Sequence, residues 1–180
     1  MIQGKRTRLR AMERADLPRF VAWLNDPEVT AGLLLYPTLS MDQEEQWYQR
    51  NLERPREEQP FIIEVCVGEN WLPIGDVGLH NLNWKDRQAE VGIVIGEKAY
   101  WGQGYGSDAM RLILRHAFNN LNLHRVVLQV FADNPRAVRS YEKVGFTHEG
   151  RLREDVFKNG RYIDVLIMSI LRSEWMDADI

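Results

Sequence analysis

Three glycines fall within seven residues in Trp101-Gly102-Gln103-Gly104-Tyr105-Gly106-Ser107, and no other stretch constrains this chain as strongly. Glycine loses more backbone freedom on folding than any other residue, so the cluster implies a turn that side chains would obstruct. An apolar run at 91–95 ends just before it, and a well-patterned helix begins just after it. The first N–H groups of a helix lack intrahelical partners, and the helix dipole adds positive character there. The stretch therefore reads as a phosphate cradle at a strand-to-helix junction. A tight turn that holds no ligand is the alternative. A dinucleotide fingerprint requires a third glycine where Ser107 stands, and a Walker-type loop requires Gly-Lys-Ser/Thr, which the chain lacks.

Apolar spacing organises the rest of the chain around this junction. A first strand is predicted at Thr7–Ala11, then a helix over 15–24 with Pro18 near its start and Asn25-Asp26-Pro27 at its end. Residues 28–35 fit a short helix followed by a loop. Ser40 and Gln43 have capping-box spacing and open a helix that runs to about Leu52. The charged, proline-bearing stretch 53–60 reads as a solvated loop. Strands at 61–67, 71–82 and 89–95 form an antiparallel meander, with glycines marking a bulge in the second. After the glycine cluster, Met110, Ile113, Leu114, Ala117, Phe118 and Leu121 recur at helical steps until Asn122. A strand follows at 126–131. Asn134 caps a short helix with Pro135 in its first turn and Gly145 at its end. Asn159-Gly160 joins the strand-like runs 146–157 and 162–171 as a hairpin. Together these elements predict an α/β fold with a mixed, mainly antiparallel sheet.

Composition narrows the function classes. The 180 residues suit one domain over 1–180, and 44% apolar with 27% charged residues is ordinary globular usage. A net charge of −3 argues against a basic nucleic-acid face. The longest apolar run, 165–171, is broken by Ser169 and reads as a strand, so no membrane association is expected. The N-terminus lacks the apolar core of a signal peptide, which points to a cytoplasmic protein. The single Cys66 cannot form an internal disulfide and reads as a small core residue. His80, His116, His124 and His148 have no metal-ligand spacing, so no metal is expected, and each reads as a surface or structural histidine.

The run 91–108, followed by Asn134-Pro135-Arg136-Ala137-Val138-Arg139-Ser140-Tyr141-Glu142-Lys143-Val144-Gly145-Phe146, resembles the GNAT superfamily of acetyl-CoA-dependent N-acetyltransferases. Within it, the chain looks like the branch of ribosomal-protein N-terminal and spermidine acetyltransferases. The resemblance covers most of the chain. It implies a GNAT-type mixed sheet with helices on both faces and a closing C-terminal β-hairpin. In the family's pyrophosphate pattern, Gly104 and Gly106 match, while Trp101 replaces the usual Arg or Gln. Contacts from Trp101, Gly102, Gln103, Gly104, Tyr105, Gly106 and Ser107 are thus expected mainly from backbone N–H groups. Ile93, Val94 and Ile95 would pair with the pantetheine arm as an added strand, and one of their N–H groups would stabilise an oxyanion. Asn134 would reach the cofactor. Ala137 stands where relatives often carry Ser.

The same resemblance makes Tyr141 a general acid for the leaving thiolate. Glu90 would lie by the acceptor, either taking the amine's proton through water or facing solvent. No convincing nucleophile is present, so direct transfer in a ternary complex is expected. The acceptor would be a small-molecule amine or a peptide N-terminus, with walls from 26–47 and 80–84. Asp26, Glu28, Glu44 and Glu45 would draw a cation. A homodimer is compatible with the sequence. The alternative is a non-catalytic acyl-CoA-binding or sensing module on the same fold.

Overall fold

Apolar residues alternate through Ala89, Val91, Ile93 and Ile95, which sends them to one face of a strand and leaves Glu90, Gly92 and Val94 on the other. The computed structural model, which describes residues 1–35 and 38–176, turns this alternation into two packed layers over one sheet. Tyr36 and Pro37, within the expected acceptor wall 26–47, lie outside the described residues. The strands are β1 (Ile2–Gln3), β2 (Thr7–Ala11), β3 (Phe61–Val67), β4 (Asn70–Asn83), β5 (Gln88–Ile95), β6 (Arg125–Phe131), β7 (Thr147–Lys158) and β8 (Arg161–Leu171). Their spatial order is β1-β2-β3-β4-β5-β6-β8-β7. Every pairing is antiparallel except β5 with β6. This is the mixed, mainly antiparallel sheet expected from the sequence.

Helices cover both faces. The helices α1 (Leu17–Leu24), α2 (Pro27–Thr30) and α3 (Met41–Leu52) lie on one side, where Phe20, Trp23 and Val29 pack with Ile62, Trp47 and Val94. The helices α4 (Tyr105–Arg115) and α5 (Pro135–Val144) lie on the other, over Val77, Leu79, Val91 and Ile93. Local chemistry sets their ends. The Ser40 hydroxyl accepts from Gln43 N at 3.2 Å and the Gln43 side chain accepts from Ser40 N at 2.9 Å, closing the capping box. The β7–β8 hairpin turns through Asn159 at φ 52° and Gly160 at φ 79°, the left-handed pair that a two-residue turn requires.

Several details depart from the sequence reading. The helix after the glycines ends in a π turn, His116–Asn120, rather than continuing regularly to Leu121. Ala117 and Phe118 within it are both fully buried. Cys66 is exposed, not a core residue, because the last two residues of β3 run past the packed layers into the Gly68 turn. The stretch 53–60 is not simply solvated. Arg54 pairs with Glu58 at 2.9 Å, and Glu58 accepts from Leu82 N at 3.1 Å, so this segment is docked on β4.

Candidate active site

The sheet opens where its one parallel pair ends. Strands β5 and β6 are in register only from Gln88↔Arg125 to Glu90↔Val127. Beyond Glu90, β5 stays paired with β4 as far as Ile95, but its other edge has parted from β6. That edge presents backbone groups to an extended ligand, as in strand addition. The gap widens into a cleft of about 790 Å³ lined by Val91, Gly92, Ile93, Val94 and Ile95 on one side and Gln129 and Val130 on the other.

One end of the cleft is the glycine turn. Gly104 sits at φ 85° as the residue before α4, and no side chain caps this helix start. Asp108 N is the first to bond back, to Gly104 O at 3.0 Å, so the N–H groups of Tyr105, Gly106 and Ser107 are the unpartnered ones typical of a helix start. Trp101, Gly102, Gly104, Gly106 and Ser107 line the cleft, whereas Gln103 and Tyr105 do not. Gln103 donates to Ala99 O at 2.6 Å, and Tyr105 packs on Tyr100 and beneath Arg6. Trp101 is committed as well: its Nε1 donates to Ile95 O at 2.7 Å, and Arg136 stacks 4.1 Å above its ring. The indole fastens the turn to the end of β5 and leaves the backbone to face a ligand.

Cations gather beside this turn. Arg136, Arg139 and Lys143 of α5 line the cleft, in a chain whose net charge is −3. They stand inside the stretch 134–146 and were not singled out from the sequence. Their shared spacing on one helix face was the available signal. Asn134 lines the cleft too, while its Oδ1 accepts from Ala137 N at 3.1 Å and caps α5. Ser107 and Ser140 hydroxyls meet at 2.7 Å and tie α4 to α5. An uncapped helix start, a free strand edge and three basic side chains on one rim fit an acyl-CoA, whose phosphates and extended arm need those features.

Tyr141 also lines the cleft, between the rim and the splayed strands. Its ring meets Phe146 edge-on at 6.0 Å and packs against the main core. Burial pushes its phenol up to about 12, so it holds its proton throughout the neutral range. A phenol held this way can give up a proton but does not act as a base at neutral pH.

The far half of the cleft faces α2 and the 30–33 turn. Three of the four acids expected to draw a cation are already paired with cations of the chain, two of them sharing one lysine. Asp26 and Glu28 pair with Lys98 at 2.8 and 3.1 Å, and Glu45 pairs with Arg14 at 2.5 Å. Glu44 is only 3% exposed, and its Oε1 has no hydrogen-bond partner among the described residues. Beside it stands Asp76, missed from the sequence, which lines the cleft opposite Val94. Burial first and then the charge of Glu44 push Asp76 up to about 7, with no cation offsetting them. Glu90 is half-buried, accepts from Asn81 Nδ2 at 3.1 Å and does not itself line the cleft. Its register partner His80 does. Among the described residues no group of three or more His, Cys, Asp or Glu side chains is arranged to hold a metal, and no helix is long and apolar enough to cross a membrane.

Comparison with known proteins converges on the same architecture. Residues 6–147 match the family model described as an acetyltransferase (GNAT) domain. The spermidine N(1)-acetyltransferase of Vibrio cholerae serotype O1 is 36% identical over 173 residues, covering 94% of this chain and 95% of that protein. A solved spermidine N-acetyltransferase from Vibrio cholerae, in complex with CoA and spermine, superposes with a TM-score of 0.85 at 36% identity, covering 94% of this chain and 97% of that one. A dodecameric structure of spermidine N-acetyltransferase from the same organism gives 0.79 at 36% identity, with 96% and 97% covered. The parted strands, the uncapped glycine turn and these likenesses together place the chain in the GNAT family, as an acetyl-CoA-dependent N-acetyltransferase.

Proposed function

We propose that this enzyme acetylates a primary amine on a cationic small molecule of the polyamine class. The observation that carries this reading is Asp76, an acid in the acceptor half of the cleft with Glu44 behind it and no cation opposing either. A half-buried carboxylate with no cation opposite it is costly, and an ammonium group from a substrate removes that cost. The relative named for spermidine supports the same class. A single acetyltransferase domain over 1–180 accords with the one sheet that gathers strands from Ile2 to Leu171. A homo-oligomer accords with the dodecameric relative. A cytoplasmic location accords with the exposed free thiol of Cys66.

Acetyl-CoA, when bound, supplies the acetyl group as a thioester. In this reading the N–H groups of the 101–107 turn hold the pyrophosphate, with Arg136, Arg139 and Lys143 adding charge. Ile93, Val94 and Ile95 pair with the arm, and one of their N–H groups faces the acetyl oxygen. Removing a single donor of this kind typically costs on the order of 10²–10³ in rate. Asn134 keeps its Nδ2 for the arm, since Oδ1 is occupied in the helix cap. Tyr141 gives its proton to the departing sulfur, and Glu90 balances charge at the acceptor side. No covalent enzyme intermediate is required, so transfer is direct.

The test is thiol release from acetyl-CoA across monoamines, diamines, spermidine, spermine and short peptides with free N-termini. The expected outcome is fastest release with the multiply charged amines and an N-acetyl mass shift on them. Faster release with a peptide than with any polyamine would overturn the acceptor assignment. CoA binding without thiol release from any amine would favour a sensing module.

A further inference from the structure

The acceptor side of β4 and β5 has a floor without side chains. Gly78 and Gly92 are register partners, flanked by Asp76 and His80 on β4 and by Val94 and Glu90 on β5. The His80 imidazole leans over that floor. A Cβ on Gly92 would lie 3.3 Å from its Nε2, and one on Gly78 would lie 3.4 Å from its Cε1. Gly92 immediately precedes Ile93-Val94-Ile95, the backbone proposed to face the acetyl group. The ring therefore lies over the residue that precedes this backbone on β5, and it lines the cleft where its partner Glu90 does not.

We infer that His80 is the proton acceptor for the substrate ammonium, with Glu90 across the strand pair acting through it. The inference rests on the acetyl-transfer roles proposed above for β5 and Tyr141. Burial lowers the imidazole's affinity for a proton, so a neutral ring with a lone pair faces the cleft at neutral pH. The charged groups facing it are Arg54, which lowers that affinity further, and Glu90 and Glu58, which oppose the shift. The proton balance closes. His80 takes one proton from the ammonium and passes it to solvent. The freed nitrogen lone pair forms the C–N bond, and the C–S bond breaks. The sulfur takes the Tyr141 proton, and the proton shed by the new amide nitrogen restores the phenol.

His80→Gln keeps a polar side chain of similar length but cannot take up a proton in this range. The variant is expected to lose roughly 10²-fold in kcat/KM for spermidine at pH 7.5. CoA affinity by calorimetry should not change. The wild-type pH profile should bend below the ordinary histidine value of 6.5, and the variant should keep only the limb due to the amine. In the CoA-bound wild type, the His80 Cε1–H proton resonance should shift when spermidine is added. An unchanged rate, a retained bend or an unmoved resonance would each overturn the assignment. Failure of the acetyl-transfer reading shows differently, as absent thiol release with every amine, and the resonance still reports whether His80 meets the acceptor.

Discussion

Tyr141 carries one polar atom at the tip of a ring packed into the core, and that placement makes its proton hard to remove. A phenol near 10 would match a thiol in acidity, whereas one near 12 is a donor that acts only as negative charge appears on sulfur. Tyr141→Phe is expected to lower turnover roughly 10²–10⁴-fold while CoA affinity by calorimetry holds. Asp76 is tuned in the same direction, by burial and by the charge of Glu44. Its folded value of about 7 lies above the ordinary 3.8, so the folded state loses stability as pH rises through that interval. Asp76→Asn removes this penalty. Thermal denaturation should show a higher Tm than wild type at pH 8, a gain that fades as pH falls toward 3.8. The same variant should raise KM for spermidine about 10–100-fold, the loss of one charge-assisted contact. A variant that gains no stability at pH 8 would mean that Asp76 is not held unpaired.

The strand-to-helix junction is where element geometry decides binding. Gly104 at φ 85° lets the chain reverse into a helix start that no side chain caps, with Gly106 and Ser107 lining the cleft. A β-branched residue cannot adopt that conformation without strain, and its Cβ would also lie 3.3 Å from Arg6 Nη1. Gly104→Val should fold, by circular dichroism, yet lose CoA binding by calorimetry; normal affinity in the folded variant would remove the turn as the phosphate site. Opposite the junction, the β7–β8 hairpin reaches over the cleft. Lys158 Nζ donates to Thr30 O and Leu33 O, both at 2.5 Å, which ties the hairpin to the turn after α2. The cleft is thus bordered by elements more than a hundred residues apart in sequence.

Charge is distributed unevenly over the whole molecule. A chain of net −3 gathers Arg136, Arg139 and Lys143 on the α5 rim and holds Asp76 and Glu44 in the acceptor half, where the Lys158 ammonium is taken up by the carbonyls of Thr30 and Leu33. A ligand that bridges α5, the glycine turn and β5 should stabilise the entire fold. At 100 times Kd, CoA is expected to add about 2.7 kcal/mol, a Tm rise of roughly 5–10 °C for a chain of this size. Scanning calorimetry with and without CoA checks this, and an unmoved Tm would separate the cleft from the ligand.

Much of this was legible in the residues, because the signals are local. Turn and cap chemistry at Ser40, Gly104, Asn134, Gly145 and Asn159-Gly160 acts over four or five positions. Strand and helix periods identify the buried faces, so most of the elements, the mixed sheet and the glycine turn follow from sequence. Tertiary structure decided the rest. Whether an acid attracts a ligand depends on what lies opposite it: Asp26, Glu28 and Glu45 found cations, while Glu44 and Asp76 did not. Whether Cys66 or His80 is exposed, buried or facing a cleft depends on which strands part and which helices cover them. The glycine turn of 101–107 was readable by itself. The cleft it opens onto came from the splay of β5 and β6 beside it, since only long-range pairing determines where a sheet opens.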